Sequence, residues 1–182
     1  MSEILLVRHG ESEANVRQRT AFDQKRAPLT PRGVQQSWEL NTTLRREFGI
    51  VPEEYNKPVA ASTYVRPVQT ALFAGFCSVD FLSLIDESDV AHEVAGGLNT
   101  IAKHRDERWA PEETKLRVSE FHDKLAAGEL DYEIYFGHGL FWGEFLYQCD
   151  ERGIQTSATF CERRGYVPLQ AAVIKVELPA TA

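Results

Sequence analysis

The sequence predicts an α/β fold, a three-layer α/β/α sandwich with a mostly parallel sheet and helices on both faces. Three observations carry that expectation. Apolar strand-like runs alternate with helix-like segments along the chain. Of two clear runs, residues 3–8 and the one within YEIYFGHG, the first reads as a continuous apolar strand of the kind buried on both faces. Both break off abruptly in histidine and glycine, and in open α/β sheets ligands sit beyond the carboxyl ends of such strands.

The elements follow in order. Residues 3–8 are the first strand. APLTPRGVQQSWELNTTLRREF predicts a helix, with Thr30 as cap, Pro31 in the first turn, and Val34, Trp38, Leu44 and Phe48 on one face. KPVAAS is a short strand, and RPVQTALFAGF a helix with Pro67 near its start. Residues 80–85 suggest a further strand. ETKLRVSEFHDKLAAG is a helix closed by Gly128. YEIYFGHG is a strand, LFWGEFLYQC a buried helix and QAAVIKVEL the last strand. A single domain over residues 1–182 is expected. Its least regular part, about 86–112, contains Gly96-Gly97 and KHRDERWAPEE, and is either a substrate-covering insertion or a solvated loop.

Composition narrows the classes. The formal charge of −7 argues against nucleic-acid and membrane-surface binding, while leaving room for a small basic pocket. Cys77, Cys149 and Cys161 are odd in number and widely spaced, which suggests neither a disulfide framework nor a zinc ribbon and fits a reducing cytoplasm. Glu3 and Arg8 interrupt the first apolar run, so no signal-peptide pattern is seen, and no apolar segment approaches the ~20 residues of a membrane helix.

The strand ends point to chemistry. The first delivers Arg8, His9 and Gly10; the second Ser62 and then Arg66 at a helix start; YEIYFGHG delivers His138 between two glycines. Two guanidinium forks, two imidazoles and nearby helix N-termini describe a pocket for a dianionic group such as phosphate. Each residue alone has an ordinary explanation, as an ion pair, a packed imidazole or a turn; their coincidence on three strands does not. There is no GxxxxGK[ST], HEVAG at His92 lacks the second histidine of a zinc-protease helix, and FGHGLFWG contains no serine elbow. His92, His104 and His122 are expected in surface or packing roles.

Four stretches carry a family resemblance. LLVRHGESEAN, PLTPRGVQQS, ASTYVRPVQTA and YFGHGLF resemble, in order, the signature elements of the histidine phosphatase superfamily, which includes the cofactor-dependent phosphoglycerate mutases. The resemblance implies that His9 is a nucleophile transiently phosphorylated, that Arg8 and Arg66 clamp the phosphoryl oxygens, that His138 adds charge and hydrogen bonds there, and that Asn15 lines the pocket. It implies no metal and no cofactor, since arginines supply the positive charge. Two departures stand out. Arg26 occupies a position where the family often has Asp, and the family's acid element is blurred in LIDESDVAHEVAGG. Glu87 fits the spacing of the proton donor, with Asp86 and Glu93 as alternatives. The expectation is a metal-independent phosphomonoesterase working through phosphohistidine on a phosphorylated small molecule or phosphoprotein. A mutase-type isomerase and a non-catalytic phosphate-binding module are the alternatives.

Overall fold

The structure is a computed structural model that describes residues 2–16, 21–87, 111–157 and 168–179. Most of the expected insertion, with His92, Glu93 and His104, lies outside the described residues, as does Cys161.

The elements are β1 (Ser2–Arg8), α1 (Glu13–Val16), α2 (Ala21–Arg26), α3 (Pro31–Phe48), β2 (Val59–Ala61), α4 (Val65–Phe73), β3 (Val79–Phe81), α5 (Glu112–Ala126), β4 (Ile134–Gly137), α6 (Gly139–Glu151), β5 (Gln155–Thr156) and β6 (Val173–Leu178). They form one sheet in the order β3-β2-β4-β1-β6-β5. β3, β2, β4 and β1 are mutually parallel; at the other end β6 pairs antiparallel with β1, and β5 antiparallel with β6.

Both faces are covered, which is why β1 reads as an unbroken apolar run. Ile4 and Leu6 point to one face and pack with Val118 and Phe121 of α5 and with Phe141, Trp142 and Phe145 of α6. Leu5 and Val7 point to the other, against Leu40 and Leu44 of α3 and Ala71 of α4. The alternation is the two-residue period of a strand serving two cores.

Several expectations are met locally. Thr30 caps α3 by accepting from the Gly33 N–H, and Pro31 follows it. Gly128, at φ 70°, closes α5. Three expectations need correction. The strand expected over 80–85 stops at Phe81, and Ser83–Ile85 wind into a 3₁₀ turn. Among the described residues β3 is an edge strand paired with β2 alone, which is three residues long, so the ladder runs out after the Leu82 N–H bonds to Ala61 O. Trp38 is exposed rather than on the buried face of α3, which is formed by Gly33, Ser37, Leu40 and Leu44. The helix seats small residues at its start because its first turn touches the loop after β1. Last, α2 lies where no helix was expected.

That contact is backbone on backbone. A Cβ on Gly33 would lie 1.9 Å from Glu11 O, and one on Gly10 would lie 2.7 Å from Gly33 O. Thr30 N–H donates to Glu11 O across the same gap. Gly33→Ala should therefore cost ~3 kcal/mol or more, the upper end for overpacking. Gly49→Ala meets no atom but must hold φ 67°, and should cost only about 1 kcal/mol. Equilibrium denaturant melts compare the two; equal losses would mean the loop after β1 is not seated on α3 as described.

Candidate active site

The sheet register brings the candidate residues together. Arg8 of β1 is level with Gly137 of β4, so the next residues, His9 and His138, emerge side by side. Their rings stand edge to face with centroids 5.2 Å apart. Ala61 of β2 is level with Phe136, so Ser62 follows beside His138. Bare Cα at Gly137 is required here, because a Cβ would lie 2.6 Å from Trp142 Cζ2. The Trp142 indole N–H donates to Val7 O at 3.0 Å, tying α6 to the end of β1.

Arg66, in the first turn of α4, lies at the centre. Its Nε donates to His9 Nε2 at 3.0 Å, its Nη1 to Gln24 O at 2.6 Å, and its Nη2 to His138 Nδ1 at 3.2 Å. The guanidinium carbon stands 4.9 Å from the centroid of the Tyr64 ring. Burial pushes Arg66 down to about 10, against the pull of Glu87. Arg8 is likewise lowered by burial and donates through Nη1 to Pro168 O at 2.5 Å, while its buried Nε has no hydrogen-bond partner among the described residues. Two neighbouring residues of α4 pin the surrounding loops: Thr70 accepts from Gly10 N–H, and Gln69 accepts from Leu29 N–H.

The proton positions follow from the partners. His9 Nδ1 lies 2.6 Å from Gly10 O, which only accepts, so Nδ1 carries the hydrogen. Nε2 then holds the lone pair and accepts from Arg66. Burial first, then Arg66 and Arg8, hold His9 well below the ordinary imidazole range, so the ring is neutral. A neutral imidazole with a free-electron-pair nitrogen facing two buried guanidinium groups is a competent nucleophile toward an anion they hold.

Glu87 joins this group. Its side chain is only 10% exposed, with Oε2 4.0 Å from His138 Nδ1, and Oε1 has no hydrogen-bond partner among the described residues. Burial raises its pKa, opposed by Arg66, Arg8 and Arg117 and by the Leu140 N–H in the first turn of α6. Asp86 is placed differently: Oδ1 accepts from Ser62 Oγ and Thr63 N–H, and Oδ2 from Thr63 Oγ1. Asn15 turns its carboxamide oxygen onto Ser12, accepting from both N–H and Oγ, so in this arrangement it shapes the loop after β1. Arg26 is exposed at the end of α2, two residues from the carbonyl that holds Arg66. His122 is indeed a packing residue, stacked 4.1 Å from the Phe145 ring and pushed down to about 4 by burial.

Tyr64, Gln24 and Arg117 were not singled out in the sequence. Gln24 acts through its carbonyl, which leaves no mark on residue type. Arg117 is a charge at a half-buried position of an otherwise ordinary amphipathic helix.

The sequence profile of the histidine phosphatase superfamily (branch 1) matches residues 4–141. The chain belongs to the histidine phosphatase superfamily. Solved structures agree in fold. The product of open reading frame Rv3214 of Mycobacterium tuberculosis is 20% identical, with a TM-score of 0.64 over 98% of this chain and 92% of that one. Phosphoserine phosphatase of Entamoeba histolytica, solved with 3-phosphoglyceric acid, is 17% identical, with a TM-score of 0.61 over 96% and 90%. Mycobacterial glucosyl-3-phosphoglycerate phosphatase is 16% identical, with a TM-score of 0.60 over 96% and 90%. No curated protein matches the sequence. Among the described residues no helix is long and apolar enough to cross a membrane.

In this member of the superfamily, the His9 ring should stay neutral, with hydrogen on Nδ1, throughout pH 5–8 (about the range over which a free imidazole titrates). Below the unfolded value of 6.5 the unfolded chain takes up the proton first, so this group makes stability fall as pH falls. Nitrogen-15 ring spectra check the protonation state; a His9 titration near 6.5 would contradict the buried, cation-flanked setting.

Proposed function

We propose that the protein is a metal-independent phosphomonoesterase that works through a phosphohistidine on His9. The observation that carries this reading is the pairing of a neutral His9 Nε2 with a buried guanidinium that touches it directly, 3.0 Å away. The guanidinium groups of Arg66 and Arg8 supply the charge that draws the phosphoryl dianion to the nucleophile. Geometry and charge are most of what phosphoryl transfer asks of a protein.

The steps are as follows. The phosphate ester takes up the Arg66 and Arg8 donors, with His138 on the same oxygens. His9 Nε2 attacks phosphorus in line as the ester P–O bond breaks. Glu87, whose buried carboxyl is held in its acid form to higher pH than usual, gives its proton to the departing oxygen. Its carboxylate then takes a proton from water, which attacks the phosphohistidine and releases inorganic phosphate. Because the first step needs the protonated acid, rate on poor leaving groups declines as pH rises through the raised Glu87 value. The substrate is a phosphate ester small enough to present its phosphoryl group to this pocket. Residues 88–110 follow Glu87 directly in the chain, and we infer that they contribute to substrate choice.

Two experiments test the reading. Turnover in the presence of EDTA, quenched and mapped, should yield a label on His9 that is acid-labile and stable in alkali. A label on Ser12 or on a cysteine, or activity abolished by EDTA and restored by a divalent ion, would overturn it. Glu87→Gln should slow alkyl phosphates by roughly 10²–10⁴-fold, the usual worth of a general acid. p-Nitrophenyl phosphate, whose leaving group needs no proton, should be slowed far less. Equal slowing of both would assign Glu87 a structural role instead.

A further inference from the structure

We propose that Asp86, Ser62 and His138 form a hydrogen-bonded relay, in which Asp86 and Ser62 are positioning residues that fix the His138 ring and support its charged form while a phosphoryl group is bound. The proposal rests on the reading of the site given above and assigns a role to two residues outside it.

The chain of contacts is continuous. Ser62 Oγ lies 2.8 Å from His138 Nε2 and 2.7 Å from Asp86 Oδ1. A carboxylate only accepts, so the single Ser62 hydroxyl proton goes to Asp86. The Ser62 oxygen is left to accept, from Tyr64 N–H at 3.2 Å and from His138 Nε2. His138 Nε2 must therefore carry hydrogen. The far side of the ring gives the same answer independently: Arg66 only donates, so Nδ1 is the accepting nitrogen. Ser62 and His138 are fully buried, so the hydrogen bond between them is not shared with solvent. Asp86 in turn is fixed by the Thr63 backbone N–H at 2.7 Å and hydroxyl at 2.6 Å. With both oxygens turned onto residues 62 and 63, Asp86 faces away from any leaving group.

The relay matters once an anion engages Arg66. His138 Nδ1 then loses its donor and meets a phosphoryl oxygen, another acceptor. Two acceptors face each other unless the ring takes a proton. A proton carried in on a phosphate monoanion moves to Nδ1, no bond to phosphorus being made or broken in that step. The imidazolium then donates from Nδ1 to the phosphoryl oxygen and from Nε2 to Ser62. The groups facing the ring divide. Asp86, through Ser62, favours the charged form, as does Glu87, at 4.0 Å, once it has given up its proton. Arg66, at 3.2 Å, opposes it, while the neutral His9 and the Tyr64 ring, with centroids at 5.2 and 4.8 Å, add no charge. Removing Asp86 or breaking the link at Ser62 tips this balance toward the neutral ring.

The test uses the full chain with Ser62→Ala, Asp86→Asn, their double variant, and Thr63→Val, which removes one Asp86 contact and leaves the relay intact. Each relay variant should lose roughly 10–100-fold in kcat/KM, the size of one hydrogen bond to a charged group. With p-nitrophenyl phosphate, whose leaving group needs no proton from Glu87, the alkaline limb of the pH profile, where His138 gives up its proton, should move to lower pH. The double variant should be no worse than the poorer single one, because one chain is broken in both. Thr63→Val should leave the limb in place. In nitrogen-15 ring spectra His138 should carry hydrogen on Nε2 alone in the free protein and on both nitrogens with inorganic phosphate bound; the relay variants should lose the second proton. Normal wild-type turnover with an unmoved limb in both single variants, or additive losses in the double, would overturn the relay. An inactive wild type that binds no inorganic phosphate would instead sink the reading of the site. Should Ser62→Ala fail to fold, Asp86→Asn, which keeps an oxygen for Thr63, decides the outcome alone.

Discussion

The constraint on which the rest of the structure depends is the burial of the Arg66 guanidinium. A cation removed from water is costly unless its donors are satisfied, and here two of its three nitrogens are turned onto imidazoles rather than carboxylates. Those partners satisfy hydrogen bonds without cancelling charge. The nearby carboxylate of Glu87 pulls Arg66 upward, but burial outweighs it. The outcome is a buried positive cluster whose charge would be available to an incoming anion. Burial first, and the same positive field second, keep His9 neutral, so the setting that would attract a phosphoryl group also readies the group that would attack it. This is electrostatic preorganisation: the charge is in place before the reaction, held by packing that does not have to move.

The scaffold explains why that arrangement is affordable at all. Register between β1 and β4 sets the two histidines level, and Trp142 locks α6 to the end of β1. Gly10 and Gly33 let two backbones touch, so the loop after His9 has no freedom to carry the ring away. Thr70 and Gln69 extend the same hold from α4 to both loops. The family signature is thus a set of mutual contacts: its glycines make room, its Gln and Thr pin loops, and its Arg and His face one pocket.

Much of this was legible in the sequence, for a definite reason. Residues buried on both faces leave continuous apolar runs, and chemistry placed at strand ends interrupts those runs sharply, so Arg8, His9, Arg66 and His138 were visible together. What was not legible depended on geometry without a residue signature. Trp38 lies on the outside of α3 because Gly33 and Ser37, small and outwardly unremarkable, occupy the inner face. The strand expected through Ile85 ends early because its partner is short, a fact about β2 and not about β3. Gln24 contributes a carbonyl that any residue could contribute. Spacing favoured Glu87 as the acid but left its neighbour Asp86 open, because the sequence carries no direction: Asp86 turns to Ser62 and Thr63, Glu87 toward the arginines.

The central claim is that the two histidines and two arginines hold a phosphoryl group with His9 Nε2 in line behind it. A crystal structure with orthovanadate, which adopts the five-coordinate geometry of the transferring group, tests this most directly. The account predicts vanadium bonded to His9 Nε2 in an apical position, with Arg8, Arg66 and His138 on its equatorial oxygens and Glu87 beside the opposite apex. Vanadate bound to another side chain, or seated with His9 Nε2 turned away from the metal, would contradict it.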